Sequence, residues 1–432
     1  MRLESQSNRV SVDVTASGRF NRIVEEGLCV GCGLCESLAG SDVVHMRTAV
    51  NNYERPHVVG ELTHDVVDLI YDTCPGLRQD SLPAHLVDDS TIIDPVWGPY
   101  KYMVSAHASD DAIRIKAASG GVLTALAMYL VETGEISFVL HATPSKQDVT
   151  FGVPHISVTS QDVKACSGSI YGPTAPLKNI QNVLDRNKPF AFVGKPCDIS
   201  ALRNYARYDR RIDTLVRYWL TPVCGGIVPP PQLDMFLASR NTHRQNLKWF
   251  KYRGDMCPGD TEFETKDGRK ETAVMYEPYG GVEESSWQLP FRCKICPDGP
   301  GEGADIAAGD QWVDDVPDWE FAKVDKGSNA MIIRTSTGAD LMKRAIDAGY
   351  LTIEREISPR FYDTCQHHHV VKKQYMRARW NGLAAEGRLM PRSHGLRLDA
   401  YFAQNTKEMN DYQMQGTQAR IRNGLASEPT PT

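Results

Sequence analysis

The fold is decided by the stretch Phe190-Ala191-Phe192-Val193-Gly194-Lys195-Pro196-Cys197-Asp198. Its four apolar residues have the length of a short buried strand, and Gly194 ends the run. The residues from Asp198 to Tyr205 then have the pattern of a helix. A strand that leads directly into a helix is the repeating unit of a parallel sheet.

The same alternation extends through the centre of the chain. Strands are predicted at 138–142, 218–223, 330–335 and 351–353, and helices at 122–131, 175–184 and between Gly338 and Ala348. Short alternating runs over 246–287 instead indicate antiparallel hairpins. We therefore predict an α/β fold, α+β overall, with a mixed, mainly parallel sheet and an antiparallel insertion.

Composition shifts suggest the domain boundaries. We predict a disordered or extended N-terminus (1–22), a small ferredoxin-like cysteine domain (23–98), a large α/β domain (99–392) and a mobile, polar C-terminal tail (393–432). A Pro- and Asp-rich connector, 81–99, joins the first two domains.

The whole-chain numbers exclude several classes of protein. The chain has 432 residues, of which 41% are hydrophobic, and a net charge of −6. No basic patch favours nucleic acid as a partner. No apolar run approaches the roughly 20 residues that span a bilayer, and the first residues lack the apolar core of a signal peptide. We expect a cytoplasmic protein without a membrane partner. The sequence does not decide between a monomer and a homo-oligomer.

Eleven cysteines, an odd number, argue against a disulfide framework in such a compartment. Cys29, Cys32 and Cys35 have the CxxCxxC spacing that wraps a loop around a 4Fe–4S cluster, and Cys74, followed by a proline, is the candidate fourth ligand. A zinc knuckle is the alternative, but zinc sites usually have two CxxC pairs or histidines at defined spacing.

A second set of cysteines follows predicted strands. Cys197 lies at a helix start, where the helix dipole stabilises a thiolate, and Cys224 ends the next strand. Cys293 and Cys296 form a CxxCP pair that could close over the same sheet edge. Together they predict a second 4Fe–4S cluster, with buried structural cysteines as the alternative for Cys197 and Cys224.

Two small-residue loops suggest a cofactor site. Ser119-Gly120-Gly121 at a helix start is a candidate anion cradle, with a simple helix cap as the alternative. Ser167-Gly168-Ser169-Ile170-Tyr171 adds a tyrosine that could contact a ring. Neither GxGxxG nor a P-loop is present. Because clusters carry single electrons, a flavin would serve as the converter to two-electron chemistry.

The remaining reactive residues are less clearly patterned. His141, His155, Asp198 and Asp310 are candidate proton donors, and His367-His368-His369 is expected to be solvated or to face a substrate rather than to bind a metal. We expect Cys166, Cys257 and Cys365 to be structural, with Cys257 near a site.

The ordered set of motifs resembles the coenzyme F-420 hydrogenase/dehydrogenase beta-subunit family, which includes 7-hydroxymethyl chlorophyll a reductase and a ferredoxin-dependent divinyl chlorophyllide reductase. The resemblance runs from about Cys29 to Gly349 and includes Ala304-Asp305-Ile306-Ala307-Ala308-Gly309-Asp310-Gln311-Trp312. It implies FAD and one or two 4Fe–4S clusters, with the flavin held by Ser119-Gly120-Gly121, the 167–171 loop and Lys195. Ile170 departs from the family, which often has lysine there.

We therefore expect an iron–sulfur flavoprotein oxidoreductase that takes electrons from a ferredoxin-like donor and passes a hydride to a small organic substrate. One alternative is an electron-transfer subunit of a larger hydrogenase or dehydrogenase that exchanges hydride with a deazaflavin, coenzyme F-420. Another is a non-catalytic zinc-binding interaction protein.

Overall fold

The computed structural model describes residues 15–281, 287–315, 317, 320 and 324–431. Its strands are β1 Val44–Thr48, β2 Glu54–Val58, β3 Ile92–Asp94, β4 Gly98–Tyr100, β5 Tyr102–Ala108, β6 Phe138–Pro144, β7 Gly152–Ser157, β8 Phe190–Val193, β9 Val216–Pro222, β10 Leu247–Lys251, β11 Thr261–Thr265, β12 Lys270–Ala273, β13 Ile306–Gly309, β14 Asn329–Ile333 and β15 Leu351–Glu356.

The α-helices are α1 Ala16–Glu25, α2 Leu34–Ala39, α3 His64–Thr73, α4 Asp111–Lys116, α5 Val122–Glu132, α6 Ser160–Ala165, α7 Ile180–Leu184, α8 Pro196–Tyr205, α9 Arg211–Leu215, α10 Pro230–Ser239, α11 Phe291–Lys294, α12 Ser336–Asp347, α13 Pro359–Cys365, α14 His367–Ala385, α15 Leu398–Gln404 and α16 Lys407–Arg422.

An eight-stranded mixed sheet forms the centre of the fold, in the order β15-β5-β14-β13-β9-β8-β6-β7. The α/β prediction is confirmed, but the parallel pairs are confined to the four strands β13-β9-β8-β6. The flanking pairs are antiparallel. Because β8 and β9 are parallel neighbours, the loops after them emerge at one edge of the sheet.

Helices cover both faces of this sheet. The apolar residues of α5 and α12 pack on one face, around Leu126 and Leu341. The residues of α8 and α9 pack on the other, around Ile199 and Leu202, and Cys32 and Leu34 join that core. The N-terminal cysteine segment is thus packed directly against the α/β unit.

The antiparallel insertion predicted over 246–287 is present as the three-stranded sheet β10-β11-β12. Its apolar side packs against α10. The predicted helix at 175–184 is shorter than expected, because only Ile180–Leu184 is α-helical.

The predicted disordered or extended N-terminus is wrong where it can be examined. Residues 1–14 lie outside the described part of the chain, whereas α1 starts at Ala16 and buries Phe20 and Ile23. The Thr15 hydroxyl caps this helix by accepting a hydrogen bond from the Gly18 N–H at 3.1 Å.

The predicted mobile C-terminal tail is also wrong. It contains α15 and α16, and α16 packs against α14 where Gly382 lets the helices approach: a Cβ there would lie 2.7 Å from the Met414 carbonyl oxygen. The connector 81–99 is likewise structured, since β3 pairs with β4 and the Trp97 side chain between them is fully buried.

These C-terminal helices complete the core of the N-terminal segment. Trp380, Leu383 and Ile421 pack in one apolar cluster with Phe20 and Val67. The predicted boundary at 98 therefore does not separate two cores. None of the described helices combines the length and apolar character needed to cross a bilayer.

Candidate functional site

The first cysteine set surrounds a small cavity between α1, α2 and α3. Cys29, Cys32, Cys35 and Cys74 all line this cavity of about 30 Å³. Cys74 is the C-terminal cap residue of α3, which places it beside the Cys29–Cys35 loop. Gly31 and Gly33 have φ of 70° and 81°, values that other residues rarely adopt, so glycine is needed for this loop to turn.

The thiols of this set are buried together. Burial is the largest cause that raises the pKa of each thiol, and neighbouring thiols contribute to the rise for Cys32, Cys35 and Cys74. With all causes included, the pKa of Cys74 is raised to about 12. Four desolvated sulfurs that would repel one another as thiolates are stabilised when iron binds them. The donor set therefore fits a 4Fe–4S cluster.

The second cysteine set meets at the edge of the central sheet. Cys197 lies in the first turn of α8 and Cys224 lies two residues beyond β9. Together with Cys293 in α11 and Cys296, they line a cavity of about 50 Å³. The structure thus brings together four cysteines from three separate segments, and this set also fits a 4Fe–4S cluster.

Cations surround the second set. Arg55, Lys195, Arg292 and Lys372 all line its cavity. A 4Fe–4S cluster with four thiolates carries net negative charge, which these side chains would offset. None of the cysteines in the described part of the chain forms a disulfide, so no disulfide competes with either set.

A larger cavity of about 810 Å³ adjoins the second cysteine set. Its wall includes Ser119, the 167–171 loop and Lys195, as the resemblance implies. Gly168 has φ of 112°, and a Cβ there would meet open space. The volume is in the range of cofactor pockets.

Gly120 and Gly121 do not line this cavity, unlike the expectation. A Cβ on Gly120 would lie 3.0 Å from Asn329 Oδ1, and one on Gly121 would lie 3.0 Å from Ile113 Cγ2. The Asn329 amide donates to Ser119 Oγ at 2.9 Å, and its oxygen accepts from the Val122 N–H at 3.5 Å. The asparagine thus caps the helix start, and only Ser119 of the three faces the cavity.

Lys195 joins the cysteine cavity to the large cavity, because it lines both. Its ammonium lies 2.8 Å from Asp198 Oδ2 and donates to Thr174 Oγ1 at 2.8 Å. Burial would lower the pKa of Lys195, but Asp198 and Cys197 raise it above its ordinary value. The other oxygen, Asp198 Oδ1, is buried and accepts no hydrogen bond from any described residue. A donor on a bound flavin would satisfy it.

Three of the four candidate proton donors line the large cavity: His141, Asp198 and Asp310. His155 does not; it lies opposite His141 on β7, with the ring centroids 5.7 Å apart. Burial, helped by His155, lowers the pKa of His141 to about 4, so this ring is neutral at pH 7. Asp310 is held by Arg253, whose Nη1 donates to Asp310 Oδ2 at 3.0 Å.

Several cavity residues were not predicted from the sequence. Arg253 was not predicted. Its guanidinium carbon lies 5.1 Å from the ring centroid of Trp312, which belongs to the 304–312 motif. Tyr276, Tyr279 and Trp287 come from the antiparallel insertion and line the cavity. Only the clustering of aromatics there could have signalled this role.

The other reactive side chains are distributed as follows. Cys166, expected to be structural, lines the large cavity, and so does His368. His369 is buried against Trp97, whereas His367 is exposed. Cys257 lies behind the cavity wall, with Arg253 Nη2 at 3.9 Å from its sulfur, and Cys365 is in the core.

Comparison with models of known protein families identifies the family of this chain. Residues 103–181 match the model for the N-terminal region of the coenzyme F420 hydrogenase/dehydrogenase beta subunit, and residues 187–358 match the model for its C terminus. The chain belongs to this family. The match covers the central sheet, the insertion, the second cysteine set and most of the wall of the large cavity. Cys29, Cys32, Cys35 and Cys74 lie outside it.

Curated members of the F420 hydrogenase/dehydrogenase beta-subunit family are similar over the same region. The F420-dependent formate dehydrogenase 1 subunit beta of Methanococcus maripaludis is 28% identical over 58% of this chain and 60% of its own length. The coenzyme F420 hydrogenase subunit beta of Methanothermobacter thermautotrophicus is 25% identical over 59% of this chain and 84% of its own. The chain thus spans about 60% of the length of the first of these relatives.

A further relative is the coenzyme F420-dependent sulfite reductase of Methanocaldococcus jannaschii, 23% identical over 76% of this chain and 47% of its own length. Among solved structures, a chain of the F420-reducing [NiFe] hydrogenase complex from Methanosarcina barkeri shares the fold, with a TM-score of 0.50 and 21% identity, over 66% of this chain and 93% of that chain.

Proposed function

We propose that this chain is a FAD- and 4Fe–4S-dependent reductase that takes electrons from a ferredoxin-like donor and delivers a hydride to a small organic substrate. The observation that supports the proposal is that three cavities adjoin one another in a row. Cys29 and Val30 line both cysteine cavities, and Lys195 and the 224–227 loop line both the second cysteine cavity and the large one.

Each cavity offers the donor set of one cofactor. Cys29, Cys32, Cys35 and Cys74 would hold one cluster, and Cys197, Cys224, Cys293 and Cys296 would hold the other. When bound, a flavin supplies the conversion between single electrons and a hydride.

The residues of the large cavity would bind and orient the flavin and the substrate. Lys195 offers a cation at the wall shared with the second cysteine set, and Asp198 Oδ1 offers an unsatisfied acceptor in the wall of the large cavity. Tyr276 and Trp287 line the cavity, and their rings would limit access of water to the reacting atoms. Asp310, oriented by Arg253, is the carboxyl group placed to hold or move a proton.

Anaerobic purification of the chain alone tests this proposal. We expect iron, sulfide and flavin in the preparation. We also expect chemically reduced ferredoxin to reduce the bound clusters and flavin, with stoichiometric oxidation of the ferredoxin, without a partner subunit. A colourless preparation that contains zinc in place of iron would overturn the proposal and favour the zinc-binding alternative.

A second candidate function is favoured by the names of the relatives. Three of them are F420-dependent enzymes or subunits of such enzymes. This chain would then exchange hydride with coenzyme F420 and pass electrons to or from a partner subunit. Loss of F420 absorbance in the presence of an artificial donor, together with no turnover with ferredoxin, would favour this second function over the first.

A further inference from the structure

Three metal-ligating side chains that belong to neither cysteine set converge beside the large cavity. One ring nitrogen of His141, one of His155 and the sulfur of Cys166 all lie within 4.8 Å of one another. His141 is 9% exposed and the other two are half-buried. The three residues are therefore close enough to share one ion.

Local structure explains the convergence. His141 on β6 and His155 on β7 are direct cross-strand partners, so their side chains project from the same face of the sheet. Cys166 is the C-terminal cap residue of α6, the helix that follows β7. Strand register and a short connection thus bring together residues that are 14 and 11 positions apart in the sequence.

A fourth residue orients the buried histidine. His141 Nε2 and Ser157 Oγ lie 2.8 Å apart, and Ser157 is fully buried. This hydrogen bond leaves Nδ1 of His141 for another partner. A metal-binding histidine commonly has its second ring nitrogen fixed in this way.

We propose that His141, His155 and Cys166 bind one Zn²⁺ ion in the wall of the large cavity. Two imidazoles and one thiolate are ligands that zinc prefers. Tetrahedral zinc holds its ligand atoms roughly 3.3–3.6 Å apart, which small side-chain rotations would reach from the observed separations.

Three protein ligands leave one coordination position, as in catalytic zinc sites. His141 and Cys166 line the large cavity, so the fourth ligand would be a water molecule or an oxygen atom of a molecule bound there. The proposal is independent of the clusters and the flavin, because none of their candidate ligands is used.

Metal analysis of the full chain tests the proposal. After anaerobic purification and removal of loosely bound metal, we expect about one zinc per chain in addition to cluster iron. H155A and C166S should each lower bound zinc roughly tenfold or more without changing iron. H243A, at an exposed histidine, should change neither metal, whereas C296S should lose iron and keep zinc.

X-ray absorption at the zinc edge separates this site from zinc misplaced in a cysteine set. The proposed site gives about one sulfur and two nitrogen neighbours, whereas a four-cysteine site gives four sulfurs. If a ligand variant also loses iron, S157A provides the test of the zinc site, because it removes no ligand. It should weaken zinc binding by about tenfold. Three results would overturn the proposal. They are the absence of zinc from the iron-loaded protein even after Zn²⁺ addition, four sulfur neighbours around the zinc, and bound zinc that is unchanged in H155A, C166S and S157A.

Discussion

Arg55 and Glu428 form a buried ion pair that joins the second strand to the segment after the last helix. Arg55 Nε donates to Glu428 Oε2 at 2.6 Å, and the two side chains are 3% and 8% exposed. Arg55 also lines the second cysteine cavity together with Cys29. The C-terminal segment thus provides the counter-ion of a cation that lies between the two cysteine sets.

Removing this counter-ion should destabilise the protein. E428Q leaves the Arg55 charge buried without its carboxylate, and breaking a buried pair costs about 3–5 kcal/mol. We expect a lower thermal unfolding temperature and faster loss of iron in air, measured by circular dichroism and visible absorbance. The control is E408Q, which changes an exposed residue on α16 and should behave like the unmodified protein. Equal unfolding temperatures and equal rates of iron loss in E428Q and E408Q would contradict the prediction.

The two cysteine sets should bind iron independently. C35S and C296S each remove one thiol from a different set, so each should lose roughly half of the iron, and the double variant should lose nearly all. The matched control is C257S, at a buried cysteine outside both sets, which should retain its iron. Iron and sulfide quantitation checks this, and unchanged iron in C296S would reject a second cluster.

Much of this arrangement could be predicted because its signals are local. The Cys29–Cys35 spacing lies within one loop, and the stretch 190–198 specifies a strand followed by a helix with Cys197 in its first turn. Cys224 could be added because parallel strands end at a common edge of the sheet.

The missed features depend on packing between distant segments. In α16 the buried residues Asn410 and Thr417 are polar, so no apolar period indicated that this helix packs on Gly382. Gly120 and Gly121 suggested a phosphate cradle, but they make room for Asn329 and Ile113, which lie in other elements. The contact of His141 with His155 depends on strand register, which single-sequence patterns do not specify.

Lys195 should be required for flavin retention more than for iron. K195M removes the cation shared by the two cavities while keeping most of the length of the unbranched side chain. The loss of a charge-assisted hydrogen bond corresponds to roughly a 10- to 100-fold weaker flavin affinity. Flavin and iron per chain, measured after gel filtration, check this prediction.

The control for K195M is K188M, at an exposed lysine in the loop before β8, which should keep both cofactors. Loss of iron with full retention of flavin would show that Lys195 serves the cysteine set alone.

Glu302 should make the stability of the protein depend on acid pH. Its side chain is fully buried, pairs with Lys373 and Arg397, and accepts from Ser81 Oγ at 2.5 Å. Burial would raise the pKa of Glu302, but the two cations hold it below its ordinary value. A carboxyl group with a depressed pKa stabilises the fold above its unfolded pKa of about 4.3. This contribution is lost as the pH falls through the lower folded pKa.

The variant E302Q should therefore unfold at a lower temperature at pH 7, by an amount that corresponds to about 3–5 kcal/mol, because it leaves Lys373 buried without its counter-ion. The acid-induced loss of stability below pH 4 should be smaller in E302Q than in the unmodified protein. The double variant E302Q/K373M should be less destabilised than the sum of its single variants, since both charges are removed together.

The control pair is Lys343 and Asp347 on α12, whose side chains are 73% and 61% exposed. K343M should leave the thermal unfolding temperature almost unchanged, because water already screens that pair. Equal effects of E302Q and K343M would mean that the buried network contributes no more than a surface pair. Lys373 lies on α14, and its ammonium also donates to the carbonyl of Pro297, the residue after Cys296, at 3.2 Å. A large effect of E302Q would therefore show that the contact between α14 and the segment that carries Cys296 contributes to the stability of the fold.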